Sequence, residues 1–148
     1  MKKKKVIIGG TFDVIHEGHK ALLKKSFKLG DVTIGLTSNI MARRIKRRKV
    51  KEFKYRKKEL GGFIRKEFKA KPKIIKIEDK FGPTLKEDFD YIVVSPVTYS
   101  TAVLINRERR KRKKKSIRIV KIKFVLDKGG KPLSATKILK KKTDKRRG

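Results

Sequence analysis

The sequence predicts an α/β protein, with a doubly wound parallel sheet of about five strands and helices on both faces. Short runs rich in valine and isoleucine recur along the chain, "VIIGG", "VTIGL", "KIIKI" and "YIVVS", as strands covered on both faces require. Between them lie stretches whose apolar residues fall at helical spacing. The glycines, hydroxyls and both histidines follow the ends of these runs. In sheets of this class, ligands bind there, beyond the carboxyl ends of the strands where strand order reverses.

Residues 4–8 read as the first strand, followed by a glycine turn and a helix from near Gly18. Leu22, Leu23, Ser26, Phe27 and Leu29 form its apolar face, and Gly30 and Asp31 close it. Residues 32–37 are the second strand, and the basic stretch "RRIKRRKVKEFKYRKK" follows. "KELGGFIRKEFK" is a helix with Leu60, Phe63, Ile64 and Phe68 on one side, weakened by Gly61 and Gly62. Residues 73–77 are the third strand, and "EDKFGPTLKEDFD" is an acid-rich loop. "YIVVS" is the fourth strand, and "TYSTAVLINRERRKR" a helix ending in cations that suit its dipole. "SIRIVKIKFVL" is the fifth strand, and "DKGGKP" turns into a last helix with Ser134 as N-cap. The arrangement is Rossmann-like. It reads as one domain over residues 1–148, with 139–148 a frayed basic tail.

Lys and Arg total 47 against 14 Asp and Glu, a formal charge of +33 that attracts any polyanion. With 41% charged and 36% hydrophobic residues, composition alone hints at disorder, but the apolar residues are clustered as a buried sheet needs. The absence of cysteine excludes disulfides, thiolate metal sites and a Cys nucleophile. No apolar run approaches the roughly 20 residues of a membrane span, and the run behind "MKKKK" is too short for a signal peptide. The expected setting is cytoplasmic, with no membrane partner. Any assembly from monomer to hexamer is compatible with this pattern.

The stretch "VIIGGTFDVIHEGHKALL" holds the only histidines, His16 and His19. Gly9 and Gly10 let the chain turn and a ligand come close. Thr11 offers a hydroxyl and an N–H to phosphate, and Asp13 shapes the loop. Gly18 stands at a helix start, where backbone N–H groups and the dipole favour an anion. His16 and His19, three residues apart, can both donate to phosphate oxygens. A metal pair, an acid–base pair and a buried structural histidine are the alternatives. No third ligand supports the first, and no metal site is expected.

"GGTFDVIHEGH" resembles the signature of the HxGH nucleotidyltransferases, and "KPLSATKI" resembles their second signature. "GLTSNIMARR", "FGPT", "YIVVSPVT", "AVLINRERR" and "FVLDKGGKPLSAT" resemble the archaeal phosphopantetheine adenylyltransferases, so the likeness runs from about Val6 to Thr143. It implies transfer of AMP from ATP to 4′-phosphopantetheine, giving dephospho-CoA and pyrophosphate, with Mg²⁺ carried on the ATP phosphates. It further implies that Thr11 and Phe12 lie against nucleotide and acceptor, that His19 stabilises the transition state, and that His16 holds the triphosphate. Ser134 and Thr136 bind β- and γ-phosphate oxygens, and Ala135, where a second serine is usual, keeps only its N–H. Lys137 replaces a common arginine, a point charge for a fork. A cation after strand two reaches the acceptor phosphate. Arg43, Arg44 and Lys46 are candidates, with Arg44 ranked first. Arg109 is expected at nucleotide phosphate, or as a surface charge, and Ser95 and Thr98 at adenine or ribose.

Two other readings stand beside this one. In one the acceptor is glycerol phosphate, FMN or nicotinamide mononucleotide, with ATP or CTP as donor. In the other the chain is a non-catalytic nucleotide fold that binds RNA. Residues 43–58, where Phe53 and Tyr55 interleave with cations, are the favoured polyanion surface.

Overall fold

The computed structural model describes residues 3–123. They form one parallel five-stranded sheet: β1 (Lys5–Gly10), β2 (Asp31–Thr37), β3 (Lys73–Ile77), β4 (Tyr91–Val94) and β5 (Arg118–Lys121). Its spatial order is β3-β2-β1-β4-β5, so the chain winds outward in one direction and then in the other. The reversal falls between β1 and β4, paired in parallel through Val6 with Tyr91 and Ile7 with Ile92. A crevice beyond the carboxyl ends of these two strands is the expected ligand site.

Alternation along β1 decides which layer each residue joins. Val6 and Ile8 face a core with Leu22 and Leu23 of helix α1 (Glu17–Leu29) and Leu60 and Ile64 of α3 (Phe53–Phe68). Ile7 faces the opposite core, with Ile92, Val94, and Ala102 and Ile105 of α4 (Tyr99–Lys111). Helices therefore cover both faces, as the near-continuous apolar strands require.

Four element boundaries differ from expectation. β1 runs on through Gly9 and Gly10, which pair with Gly35 and Leu36 of β2, so the chain turns only after them and not at the glycines. A short helix, α2 (Asn39–Lys46), occupies part of the basic stretch after β2, with the Ser38 hydroxyl accepting from Met41 N at 3.2 Å as its N-cap. Helix α3 begins at Phe53, earlier than "KELGG", because Arg56 extends the Leu60–Ile64 stripe by one turn. β5 spans only Arg118–Lys121. The helix expected from Ser134, with Ala135, Thr136 and Lys137, lies outside the described residues, as does the tail 139–148. Among the described residues, no helix is long and apolar enough to cross a membrane.

Candidate active site

A cleft of about 420 Å³ opens at the carboxyl ends of the strands. Gly9, Gly10, Thr11, Phe12, His16, Gly18 and His19 line it from the β1–α1 side, and Ser95, Thr98 and Thr101 from the β4–α4 side. Met41, Ile45 and Lys46 of α2 and residues 80–84 after β3 supply further wall.

The histidine turn is held by its own backbone. His16 is the N-cap of α1, and its Nδ1 accepts from Gly18 N at 3.0 Å. His19 Nδ1 accepts from His16 N at 3.2 Å, which closes a reciprocal capping box built from two imidazoles. The rings stack at 3.9 Å between centroids, inclined by 22°. With both Nδ1 atoms accepting, each neutral ring carries its proton on Nε2.

Glycine at two positions is a matter of room. A Cβ at Gly18 would stand 2.8 Å from His16 Cε1, and one at Gly10 2.8 Å from Phe12 Cε2. Phe12 is buried with φ of 49°, left-handed backbone that costs a bulky residue strain. Its ring supports His19 at 4.7 Å between centroids.

Charge in the site is tuned downward. Burial pushes the His19 imidazole down to about 3, with the His16 and Lys46 charges adding and Asp13 and the Val14 backbone opposing. His16 is lowered by burial and by Lys46, against Asp13 and Glu17. Asp13 is buried and paired with Arg48 at 2.5 Å. Burial raises its carboxyl, but the Arg48 hydrogen bond and the charges of Arg48 and Lys46 outweigh this and hold it below its ordinary value. Both imidazoles are therefore neutral near pH 7 before an anion enters.

A residue that sequence reasoning missed fixes this loop. Arg56 is fully buried; its Nη1 donates to Thr11 O at 3.1 Å and to Thr37 Oγ1 at 3.3 Å. Nη2 donates to Asn39 Oδ1 at 3.3 Å and Nε to Lys51 O at 2.7 Å. Thr37 Oγ1 in turn donates to Thr11 Oγ1 at 3.0 Å, leaving the Thr11 hydroxyl its own proton to give. The signal was present: Arg56 precedes Leu60 and Ile64 at spacing of four on the buried stripe of α3.

Two expected ligands lie elsewhere. Arg109, expected at nucleotide phosphate or on the surface, is 1% exposed and does not line the cleft. It donates to Thr84 O at 2.6 Å, Glu87 O at 3.0 Å and Lys115 O at 2.7 Å, and pairs with Asp88 at 2.6 Å. Its guanidinium is spent on backbone because Ala102, Ile105 and Arg109 share the buried side of α4. Arg44, ranked first for the acceptor phosphate, is exposed outside the cleft, as is Arg43. Helical geometry explains this. Met41 and Ile45, four apart, face the cleft with Lys46 beside them, and the same turn carries Arg43 and Arg44 away. Asn106 holds Ile117 in both directions at 2.8 Å, fixing the entry to β5. Among the described residues, no three His, Asp or Glu side chains gather as a metal site.

The chain matches the cytidylyltransferase-like family over residues 7–141. It is 42% identical over 143 residues to a phosphopantetheine adenylyltransferase of Archaeoglobus fulgidus, covering 95% of this chain and 96% of that protein. It is 40% identical to a phosphopantetheine adenylyltransferase of Methanosarcina mazei, covering 95% of this chain and 94% of that protein. Among solved structures, a protein of unknown function from Archaeoglobus fulgidus superposes with a TM-score of 0.77 at 44% identity, over 80% of this chain and 88% of that one.

Proposed function

The chain belongs to the cytidylyltransferase-like family, and on that premise we propose that it transfers AMP from ATP to 4′-phosphopantetheine, giving dephospho-CoA and pyrophosphate. A phosphate oxygen of the acceptor attacks the α-phosphorus of ATP. The α–β bridging bond breaks, and pyrophosphate leaves with its electron pair. The nucleophile is already ionised, so the work is alignment and stabilisation of charge on the five-coordinate phosphorus.

The observation that carries this reading is the stacked imidazole pair, its two Nδ1 atoms tied to the α1 turn within the cleft. His19 Nε2–H donates to the α-phosphate oxygen as charge builds there, and His16 Nε2–H to the phosphate beyond it. The α1 N-terminus adds its dipole at Gly18, whose own N–H is held by His16 Nδ1. Thr11 donates its hydroxyl to the acceptor phosphate. Lys46, not Arg44, is the acceptor's cation: of the three candidates Arg43, Arg44 and Lys46 it is the one that lines the cleft, close enough for its charge to act on both histidines. ATP enters with Mg²⁺ on its phosphates, which supplies neutralisation of the leaving pyrophosphate. The proposed setting is the cytoplasm.

The test is pyrophosphate release from ATP or CTP with 4′-phosphopantetheine, glycerol phosphate, FMN or nicotinamide mononucleotide as acceptor. Release with ATP and 4′-phosphopantetheine alone is expected. Release with another pair reassigns the substrates, and none with any pair refutes the enzyme reading.

A further inference from the structure

Helix α3 has a second face that the reaction does not use. Arg56, Leu60 and Ile64 occupy its buried side. The opposite side carries Lys54, Tyr55, Lys58, Gly62, Arg65 and Lys66, every one exposed. Tyr55 leaves 54% of its surface to solvent, and Lys54 Nζ lies 5.1 Å from its ring centroid. Gly62 is unexplained by the fold: a Cβ there meets nothing within 4 Å, and its backbone is not left-handed. Glycine is unfavourable in a helix interior, yet here it leaves a flat spot ringed by cations. The nearest acid along the helix, Glu59, is tied to Lys51 at 3.0 Å.

We propose that this outward face of α3, Tyr55 with Lys54, Lys58, Arg65 and Lys66 around the open Gly62, docks single-stranded RNA. The cations neutralise phosphates, the glycine lets the backbone of the strand lie close to the helix, and the exposed phenol ring stacks a base. A second copy of this chain is disfavoured, because it would set the same cations face to face. A lipid surface is a poorer match, since the face offers a single aromatic ring and no apolar stripe to bury.

The test is fluorescence anisotropy of a labelled oligouridylate titrated with the full chain at several salt concentrations. Tyr55→Ala weakens binding about tenfold while Tyr55→Phe preserves it, as base stacking requires. The double variant Lys58→Glu, Arg65→Glu reduces the salt slope by about 1.4, two single-strand phosphate contacts at about 0.7 each. Lys24→Glu with Lys25→Glu, an equal charge change at exposed positions of α1, leaves the slope nearly unchanged. Pyrophosphate release by all variants matches the parent, which shows that they fold. Equal losses in the two double variants, no loss in Tyr55→Ala, or tighter binding to phosphatidylserine vesicles than to oligouridylate overturns the proposal.

Discussion

Arg56 Nη1 donates to the Thr11 carbonyl oxygen at 3.1 Å, across 45 residues of sequence. One helix-borne guanidinium thereby ties β2, α2 and the loop after β1 together through Thr37, Asn39 and Thr11. Arg56→Met keeps much of the volume and strands those acceptors without donors. A loss of about 3 kcal/mol in urea unfolding is expected, with Arg56→Lys recovering only part because it lacks the fork. A change below about 0.5 kcal/mol, the size of an ordinary surface substitution, would show that the clamp is dispensable.

Gly18 has no room for a methyl group beside His16. Gly18→Ala should push the His16 ring out of its cap and uncouple the stacked pair, lowering kcat/KM by at least about tenfold with little change in Tm. His19→Ala should cost about 10²–10³ in kcat, the range seen when one transition-state donor is removed. Unchanged turnover in His19→Ala refutes the role given to it.

Lys46 and Arg44 stand two residues apart and on different sides of α2. Lys46→Ala is expected to lower kcat/KM for 4′-phosphopantetheine by about 10- to 100-fold, as loss of a charged contact does. Arg44→Ala should change it less than about twofold, within the range of an exposed charge. Steady-state kinetics on the pair decides between them, and the reverse ranking restores Arg44.

The pH dependence of stability follows from the lowered imidazoles. His19 titrates near 6.5 unfolded but at about 3 folded, so protonation favours the unfolded chain. Stability is complete above about pH 6.5 and falls as pH drops from there toward 3; His16 shifts in the same direction. Between pH 7 and pH 5 the urea midpoint should fall by the equivalent of about 2 kcal/mol, and the fall should shrink in His19→Gln. Asp13, lowered below its ordinary carboxylate range, loses its contribution only at more acid pH and does not confuse this window. A midpoint flat from pH 7 to 5 contradicts the buried, neutral pair.

Arg109 holds the segment after β3 through Thr84 and Glu87. Arg109→Met should destabilise the chain by about 3 kcal/mol and raise hydrogen exchange in residues 81–88 beyond the global change. A uniform rise across the chain would mean that Arg109 serves the core generally rather than this wall of the cleft.

Strands and the histidine turn were legible because valine and isoleucine runs, and a glycine pair before a helix start, carry local signals. The roles of cations were not. Among 47 Lys and Arg residues, chemistry alone does not distinguish Arg56 from its neighbours in "KYRKK", nor Arg109 from "RERRKR". Each is singled out by position on a buried stripe, Arg56 with Leu60 and Ile64, Arg109 with Ala102 and Ile105. Arg44 and Lys46 could not be ranked from the sequence, because a run of cations gives no phase until the helix it rides on is known. Helix α2 escaped notice because a single buried residue, Ala42, gives it no stripe.

The neutral histidine pair has a consequence for how the enzyme meets its substrate. An imidazole held at about 3 carries no charge in the ligand-free cleft, but a triphosphate set against it raises its affinity for a proton. On the role proposed for His19, binding of ATP is expected to draw hydrogen ions from the medium, and by reciprocity the nucleotide then binds more tightly as pH falls. Calorimetry of ATP binding in buffers of differing ionisation heat should register this uptake, and His19→Gln should diminish it. The cleft already holds cations such as Lys46; a proton taken up at His19 would add positive charge there only once the substrate's phosphates are in place.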